Sequence, residues 1–195
     1  MEIMESYRRA QDGFDAMLAA VPQDSWDAPS ACAEWTLRDV AGHVIWGQEQ
    51  LLHWATGEEY TVTTGAPGTP HPGEMAGSDP LKTWRVARAN ALETINEESL
   101  GRTVSTKPFG DVPLAAMITL LVTDHLAHTW DVGHALGYQV RLDPELIPDS
   151  YAWSRTHITR GPGLFDAELT PPPGSDGQTR LLAFLGRAPW QPVSR

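Results

Sequence analysis

Four stretches of this chain repeat apolar residues at the three- and four-residue spacing that gives a helix one buried stripe. Tyr7, Ala10, Phe14, Met17, Leu18 and Val21 mark the first, from about Glu5 to Val21. The second opens at Thr36, whose hydroxyl can cap the helix while Asp39, three residues on, completes a capping-box-like pattern near the positive end of the dipole. It runs to about Ala55. The third has Asp79 as its cap and Pro80 at its first position, carries Leu81, Trp84, Ala87, Ala91, Leu92 and Ile95 on one side, and ends near Gly101. The fourth is the long central helix, from about Pro113 through Leu114, Met117, Ile118, Leu121, Trp130 and Val132 to Gly137.

Between these stretches the composition changes. Thr56 to Asp79 is rich in Gly, Pro, Thr and Ser and reads as a long loop, and loops of that length within a compact domain are often functional. Thr103 to Asp111 reads as a short extended connection. Downstream, Pro144 to about His157 looks helical, Arg160 to Phe165 and Thr170 to Gly177 read as turns, and Thr179 to Leu185 is a last short helix. There is no internal repeat. Four long helices with little strand signal predict an all-α bundle, in which a site can be assembled on facing helices.

Composition narrows the function. No apolar run approaches the roughly 18 to 20 residues that span a bilayer, so no transmembrane helix is expected. The amino terminus lacks a basic region followed by an apolar stretch, which points to the cytoplasm. A single cysteine, Cys32, cannot form an intramolecular disulfide, in keeping with a reducing compartment. A net charge of -11 repels phosphate backbones and anionic membranes, so neither nucleic acid nor a membrane surface is expected as a partner.

The chemistry concentrates in two distant segments, Glu34-Trp-Thr-Leu-Arg-Asp-Val-Ala-Gly-His43 and Asp124-His-Leu-Ala-His128-Thr-Trp-Asp131. Asp124 and His128 are four residues apart and project from one helical face, so a second helix need supply only His43 to complete a divalent-metal site. Three protein ligands leave coordination positions open, as a reactive metal requires; a closed structural site uses four, usually rich in cysteine.

These segments carry a resemblance. Ala31 to Val44 is similar to the first signature of the maleylpyruvate isomerase amino-terminal family, part of the wider DinB-like group of metal-binding bundles. Asp124-His-Leu-Ala-His128-Thr-Trp130-Asp131-Val resembles its second signature, and Arg180-Leu-Leu-Ala-Phe-Leu-Gly-Arg187 resembles the close of its branch of about 190 residues. The resemblance implies one DinB-like domain over residues 1–195, with a four-helix bundle over about 5–137 and a partly irregular extension over about 138–195. It implies a divalent metal, commonly zinc with nickel or iron as alternatives, held by His43, Asp124 and His128. It also implies that the metal activates the thiol of mycothiol for isomerisation or S-transfer onto a small electrophile. The isomerases carry Glu at the carboxylate position, whereas this chain has the shorter Asp124.

Other residues are weighed beside these. His125 is the second choice to His128, but lies about 100 degrees around the helix from Asp124. Asp131 either orients His128 as a hydrogen-bond acceptor or braces the helix packing. Asp39 reads as a cap and Cys32 as a packed, unreactive thiol. Trp35, Trp46, Trp54, Trp84 and Trp130 read as core or pocket wall, and Trp46, Gly47 and Gln50 follow His43 toward a cavity mouth. Arg38, Arg155, Arg160 and Arg180 are candidates for binding an acidic substrate or cofactor. The same metal site without a thiol would activate water for a hydrolase or lyase, and a noncatalytic bundle binding a small molecule is the reading from a different class. The assembly expected is a monomer or homodimer.

Overall fold

The structure, a computed structural model, describes residues 2–106, 109–161 and 165–191. Lys107 and Pro108 of the extended connection, and residues 162–164 of the turn expected after Arg160, lie outside them. Four long helices, α1 (Ile3–Ala19), α2 (Leu37–Thr56), α3 (Pro80–Thr94) and α5 (Leu114–Ala135), form a DinB-like bundle. A short α4 (Glu97–Gly101) follows α3, and α6 (Ile147–His157) and α7 (Gly177–Phe184) lie in the carboxyl-terminal extension. No described helix is long and apolar enough to cross a membrane.

The third helix is shorter than its apolar periodicity predicts. Ala91, Leu92 and Ile95 keep helical spacing, but Ile95 is extended and Asn96 caps a new helix. The Asn96 side chain accepts from the Ser99 amide at 2.9 Å, and the Ser99 hydroxyl accepts from the Asn96 amide at 2.9 Å. That reciprocal cap satisfies donors that a continuous helix would have bonded internally, so the chain re-enters helix at a new angle. The extended connection is an antiparallel hairpin, β1 (Thr103–Thr106) and β2 (Gly110–Pro113), with Val104 opposite Val112.

The helix expected from Thr36 forms as read. The Asp39 amide donates to the Thr36 hydroxyl at 3.1 Å and the Asp39 carboxylate accepts from the Thr36 amide at 2.9 Å. The other carboxylate oxygen of Asp39 accepts from the Gly73 amide at 2.9 Å, which ties the long loop back to the start of α2. Gly57 ends the helix in the left-handed region at φ 81°, where glycine carries no Cβ penalty.

Two apolar clusters fill the bundle. Phe14, Leu18, Val40, Val44, Ile45, Trp84 and Val132 join the α1, α2, α3 and α5 stripes in one. Tyr7, Leu51, Leu114, Ile118 and Leu126 form the other, together with Leu181, Leu182 and Leu185 from the extension. These three leucines are fully buried, and each contributes about 1.5–3 kcal/mol of apolar transfer. The extension is therefore part of the core, although the turns around it are irregular.

The long loop approaches α2 closely enough to need glycine there. A Cβ on Gly42 would lie 1.9 Å from the Pro72 carbonyl oxygen, in the short 3-10 turn Pro72–Ala76. Backbone cannot yield as a flexible side chain does, so Gly42→Ala is expected to cost about 1–3 kcal/mol, read as a lower urea midpoint. Gly13, exposed on α1 with nothing near its missing Cβ, is the control: Gly13→Ala should raise stability by about 0.5–1 kcal/mol.

Candidate metal centre

α2 and α5 bring His43, Asp124 and His128 together. His43 Nε2 lies 3.6 Å from Asp124 Oδ1, and His128 Nε2 lies 3.4 Å from the same oxygen. The three side chains offer ligand atoms all within 4.8 Å of one another. Two donors bound to one zinc at about 2.0–2.1 Å with tetrahedral angles sit about 3.3–3.4 Å apart, so the separations suit a shared ion. They are too long for strong hydrogen bonds between the rings and the carboxylate.

The other ring nitrogens show why both Nε2 atoms face inward. His43 Nδ1 donates to the Gly65 carbonyl at 2.7 Å, and His128 Nδ1 donates to Asp131 Oδ2 at 2.9 Å. Each bond fixes a ring proton on Nδ1 and turns Nε2 toward Asp124, so Nε2 is the nitrogen a cation would meet, as metal-binding imidazoles are commonly held. Asp131 is fully buried and is held by Arg187, whose Nε and Nη2 reach its two oxygens at 3.0 and 2.7 Å. Asp131 fills both roles open to it, accepting from His128 and bracing the extension through Arg187.

The long loop forms one wall. The Trp35 indole N–H donates to the Thr69 carbonyl at 3.1 Å and that of Trp46 to the Val62 carbonyl at 2.7 Å. With His43, three side chains of the α2 segment thus hold three loop carbonyls. A Cβ on Gly65 would come within 2.2 Å of Trp46 Cβ, so the carbonyl that orients His43 stands on a residue that glycine alone fits. The Trp35 ring centroid lies 5.0 Å from that of His43 and 6.2 Å from that of His128, and Trp46 stacks on His43 at 6.2 Å. The Asp124 side chain is 17% exposed, against 9% and 6% for the two histidines, so solvent reaches the cluster on the carboxylate side.

Charge in the cluster is tightly balanced. Burial alone would raise Asp124, but the adjoining His128 and His43 rings outweigh it and hold the carboxyl well below its usual range. Burial likewise opposes Asp131, which Arg187 and His128 hold down. His128, against the desolvation that would lower it, is raised to about 9 by the two carboxylates. One buried and one half-buried carboxylate beside one guanidinium leave a negative charge, and in the metal-free protein a proton on His128 compensates it.

The remaining candidates fall elsewhere. His125 points into the core, where burial depresses it to about 4; its Nδ1 donates to the Leu121 carbonyl and its Nε2 lies 3.4 Å from the Gln48 amide nitrogen. Gln48 accepts from Tyr7 at 2.7 Å and from Gln11 at 2.8 Å, a buried polar layer that the sequence reading did not find. Cys32 does sit beside His128 and Asp131, but burial and the Asp131 carboxylate push its thiol up to about 12. Trp84 and Trp130 are core, Trp54 packs against it, and Gly47 faces Leu121 rather than a cavity mouth.

The four arginines singled out by sequence are engaged away from the triad. Arg38 pairs with Asp27 and donates to the Gly77 carbonyl, Arg155 lies over Tyr151, Arg160 donates to the Asp166 and Phe184 carbonyls, and Arg180 donates to that of Ser175. Arg187, which closes the tail signature, is the arginine at the site. The sequence signals for it were its place in that tail signature and after Leu185-Gly186 at the end of an apolar helix.

Fold and site together define a DinB-like helical bundle with a cluster of two imidazoles and a carboxylate able to hold a divalent cation. The chain belongs to the mycothiol maleylpyruvate isomerase N-terminal domain family, which its residues 7–133 match. It is similar to an uncharacterized protein of Mycobacterium tuberculosis, 35% identical over 192 residues that cover 96% of this chain and 98% of the relative. The crystal structure of the mycothiol-dependent maleylpyruvate isomerase has the same fold, with a TM-score of 0.56 and 20% identity, over 68% of this chain and 61% of that one. A histidine-to-alanine mutant of that isomerase gives a TM-score of 0.58 and 19% identity, over 78% of this chain and 68% of the mutant's. The present chain thus spans about two thirds of the isomerase's length.

The raised His128 has a measurable consequence. Its proton is held more tightly in the folded than in the unfolded chain, so it adds stability below the unfolded value of 6.5 and that contribution is lost as pH rises to about 9. The depressed carboxylates titrate below 3.8, outside this window. Metal-free protein is expected to lose urea resistance between pH 6.5 and 9. A flat profile for the metal-free protein would contradict the charge balance described here.

Proposed function

We propose that this protein is a divalent-metal enzyme that uses mycothiol to transfer sulfur to, or to isomerise, a small electrophilic molecule. The observation that carries the reading is the convergence of His43 Nε2 and His128 Nε2 on one oxygen of Asp124, with each Nδ1 already donating elsewhere. Two imidazoles and one carboxylate suit zinc first, with nickel and iron as alternatives. A bound divalent cation lowers the pKa of a coordinated thiol so that the nucleophilic thiolate is present at neutral pH.

The chain's own residues do the rest. His43, Asp124 and His128 would hold the cation, which would supply Lewis acidity toward a thiol. Gly65 and Asp131 keep the two rings in the ligating tautomer. Trp35 and Trp46 wall the cluster with apolar rings, which strengthens the pull of a cation on a thiol by keeping bulk water away. Burial and the Asp131 carboxylate keep the nearby Cys32 thiol protonated, which favours a diffusible thiol as the nucleophile, and membership of a mycothiol family points to which one. Asp124 is one methylene shorter than the carboxylate the resemblance implies for the isomerases, a difference that bears on the geometry of the site and its metal preference.

Elemental analysis with activity assays tests this reading. Wild type should carry near one metal per chain, and His43→Ala and His128→Ala should lose it while keeping their helical circular dichroism. Consumption of a reactive electrophile should need mycothiol and should fall by more than about 100-fold in both variants, since a bound metal stabilises several kcal/mol of developing charge. Wild type that holds no metal after reconstitution with zinc, nickel or iron would sink the proposal. Metal-dependent turnover without thiol would replace it with the hydrolase or lyase.

A further inference from the structure

We infer that Arg187 is a positioning residue for the metal centre, and that through it the carboxyl-terminal extension sets metal affinity. The inference rests on the reading that His43, Asp124 and His128 hold a divalent cation, and assigns a role to a residue outside the segment that matches the family.

The turn that delivers Arg187 is built by the sequence. α7 ends at Phe184, Leu185 caps it, and Gly186 takes the left-handed region at φ 84°. The Gly186 amide donates to the Ala183 carbonyl at 3.0 Å and the Arg187 amide to the Leu182 carbonyl at 2.8 Å, the paired bonds of a Schellman turn. A Cβ at position 186 would meet Asp166 Cβ at 2.6 Å, so glycine is needed for space as well as for φ. With Leu181, Leu182 and Leu185 fully buried, the register of α7 is fixed and the next side chain is directed into the bundle.

The guanidinium then has no freedom. Nε and Nη2 grip both oxygens of Asp131 and Nη1 donates to the Leu185 carbonyl at 2.8 Å, leaving Arg187 little capacity to bind substrate. Its side chain is 12% exposed and that of Asp131 is fully buried, so the pair is a shielded fork-to-fork contact. Asp131 spends the oxygen nearer Nη2 twice, accepting also from His128 Nδ1 at 2.9 Å. Without the guanidinium, a buried carboxylate would be left to one imidazole, and the rotamer and tautomer of His128 would loosen together. Lysine would supply charge but not the two-pronged geometry.

The test compares zinc affinity, by competition with a chromophoric chelator, in wild type, Arg187→Gln, Arg187→Lys and Asp131→Asn, each checked for fold by circular dichroism. Partners that orient a metal-bound imidazole typically contribute 10- to 100-fold in affinity. Arg187→Gln and Asp131→Asn should lose about that much, and Arg187→Lys less. Two further readouts separate positioning from general stability. Cobalt-loaded Arg187→Gln should show an altered visible ligand-field spectrum. Because coupling is reciprocal, zinc should slow proteolysis of the extension in wild type more than in Asp131→Asn. If Arg187→Gln does not fold, Arg187→Lys carries the comparison. Wild type that binds zinc while the folded arginine variants match it within twofold, with an unchanged cobalt spectrum, overturns the role of Arg187 and leaves the metal reading standing. Wild type that binds no zinc overturns both.

Discussion

Two carboxylates on one face of α5, Asp131 fully buried and Asp124 half-buried, constrain everything around them. Asp124 and Asp131 stand seven residues apart on a helix whose buried residues are mostly apolar. An uncompensated charge in such a place costs several kcal/mol, so each needs a positive partner from another part of the chain. Asp131 takes Arg187 from the extension and shares His128. Asp124 faces only imidazoles, His128 from its own helix and His43 from α2. That difference separates the two roles: Asp131, gripped by a guanidinium, braces the extension and orients His128, whereas Asp124, set between two rings and nearer solvent, is the carboxylate proposed to meet a cation.

Placement of the imidazoles relies on backbone as much as on side chains. His43 owes its orientation to a carbonyl in a loop with little regular structure, and that loop keeps its position because Trp35, Trp46 and Asp39 each bond its backbone. Close approach at Gly42 and Gly65 makes those bonds reachable. The long loop therefore does for His43 what Asp131 does for His128, using a neutral acceptor in place of a charged one.

A second polar layer, Tyr7, Gln11, Gln48 and His125, lies in the same bundle without sharing this chemistry. Its members are fully buried, bonded to one another and neutral. Next to Asp124 in sequence, His125 is turned away from it by helical rotation and depressed by burial, so two adjacent residues of one motif serve opposite ends: one retains charge near solvent, the other gives up its proton to stay in the core.

The amino-acid sequence by itself determined the helices, their amphipathic stripes, the Thr36 cap and the four-residue spacing of Asp124 and His128, because these depend on neighbours within a few residues along the chain. It also carried the family signatures that single out His43. It did not disclose the break at Asn96, where a reciprocal cap overrides apolar periodicity, nor that Gly65 and Arg187 set the two rings. Those contacts join residues 22 and 56 positions distant from their partners in sequence. Arg38, Arg155, Arg160 and Arg180 were equivalent to Arg187 as charges on a chain. Only the tertiary structure decided among them, because the Schellman turn after α7 and the burial of its leucines bring one guanidinium, and not the others, to a buried carboxylate.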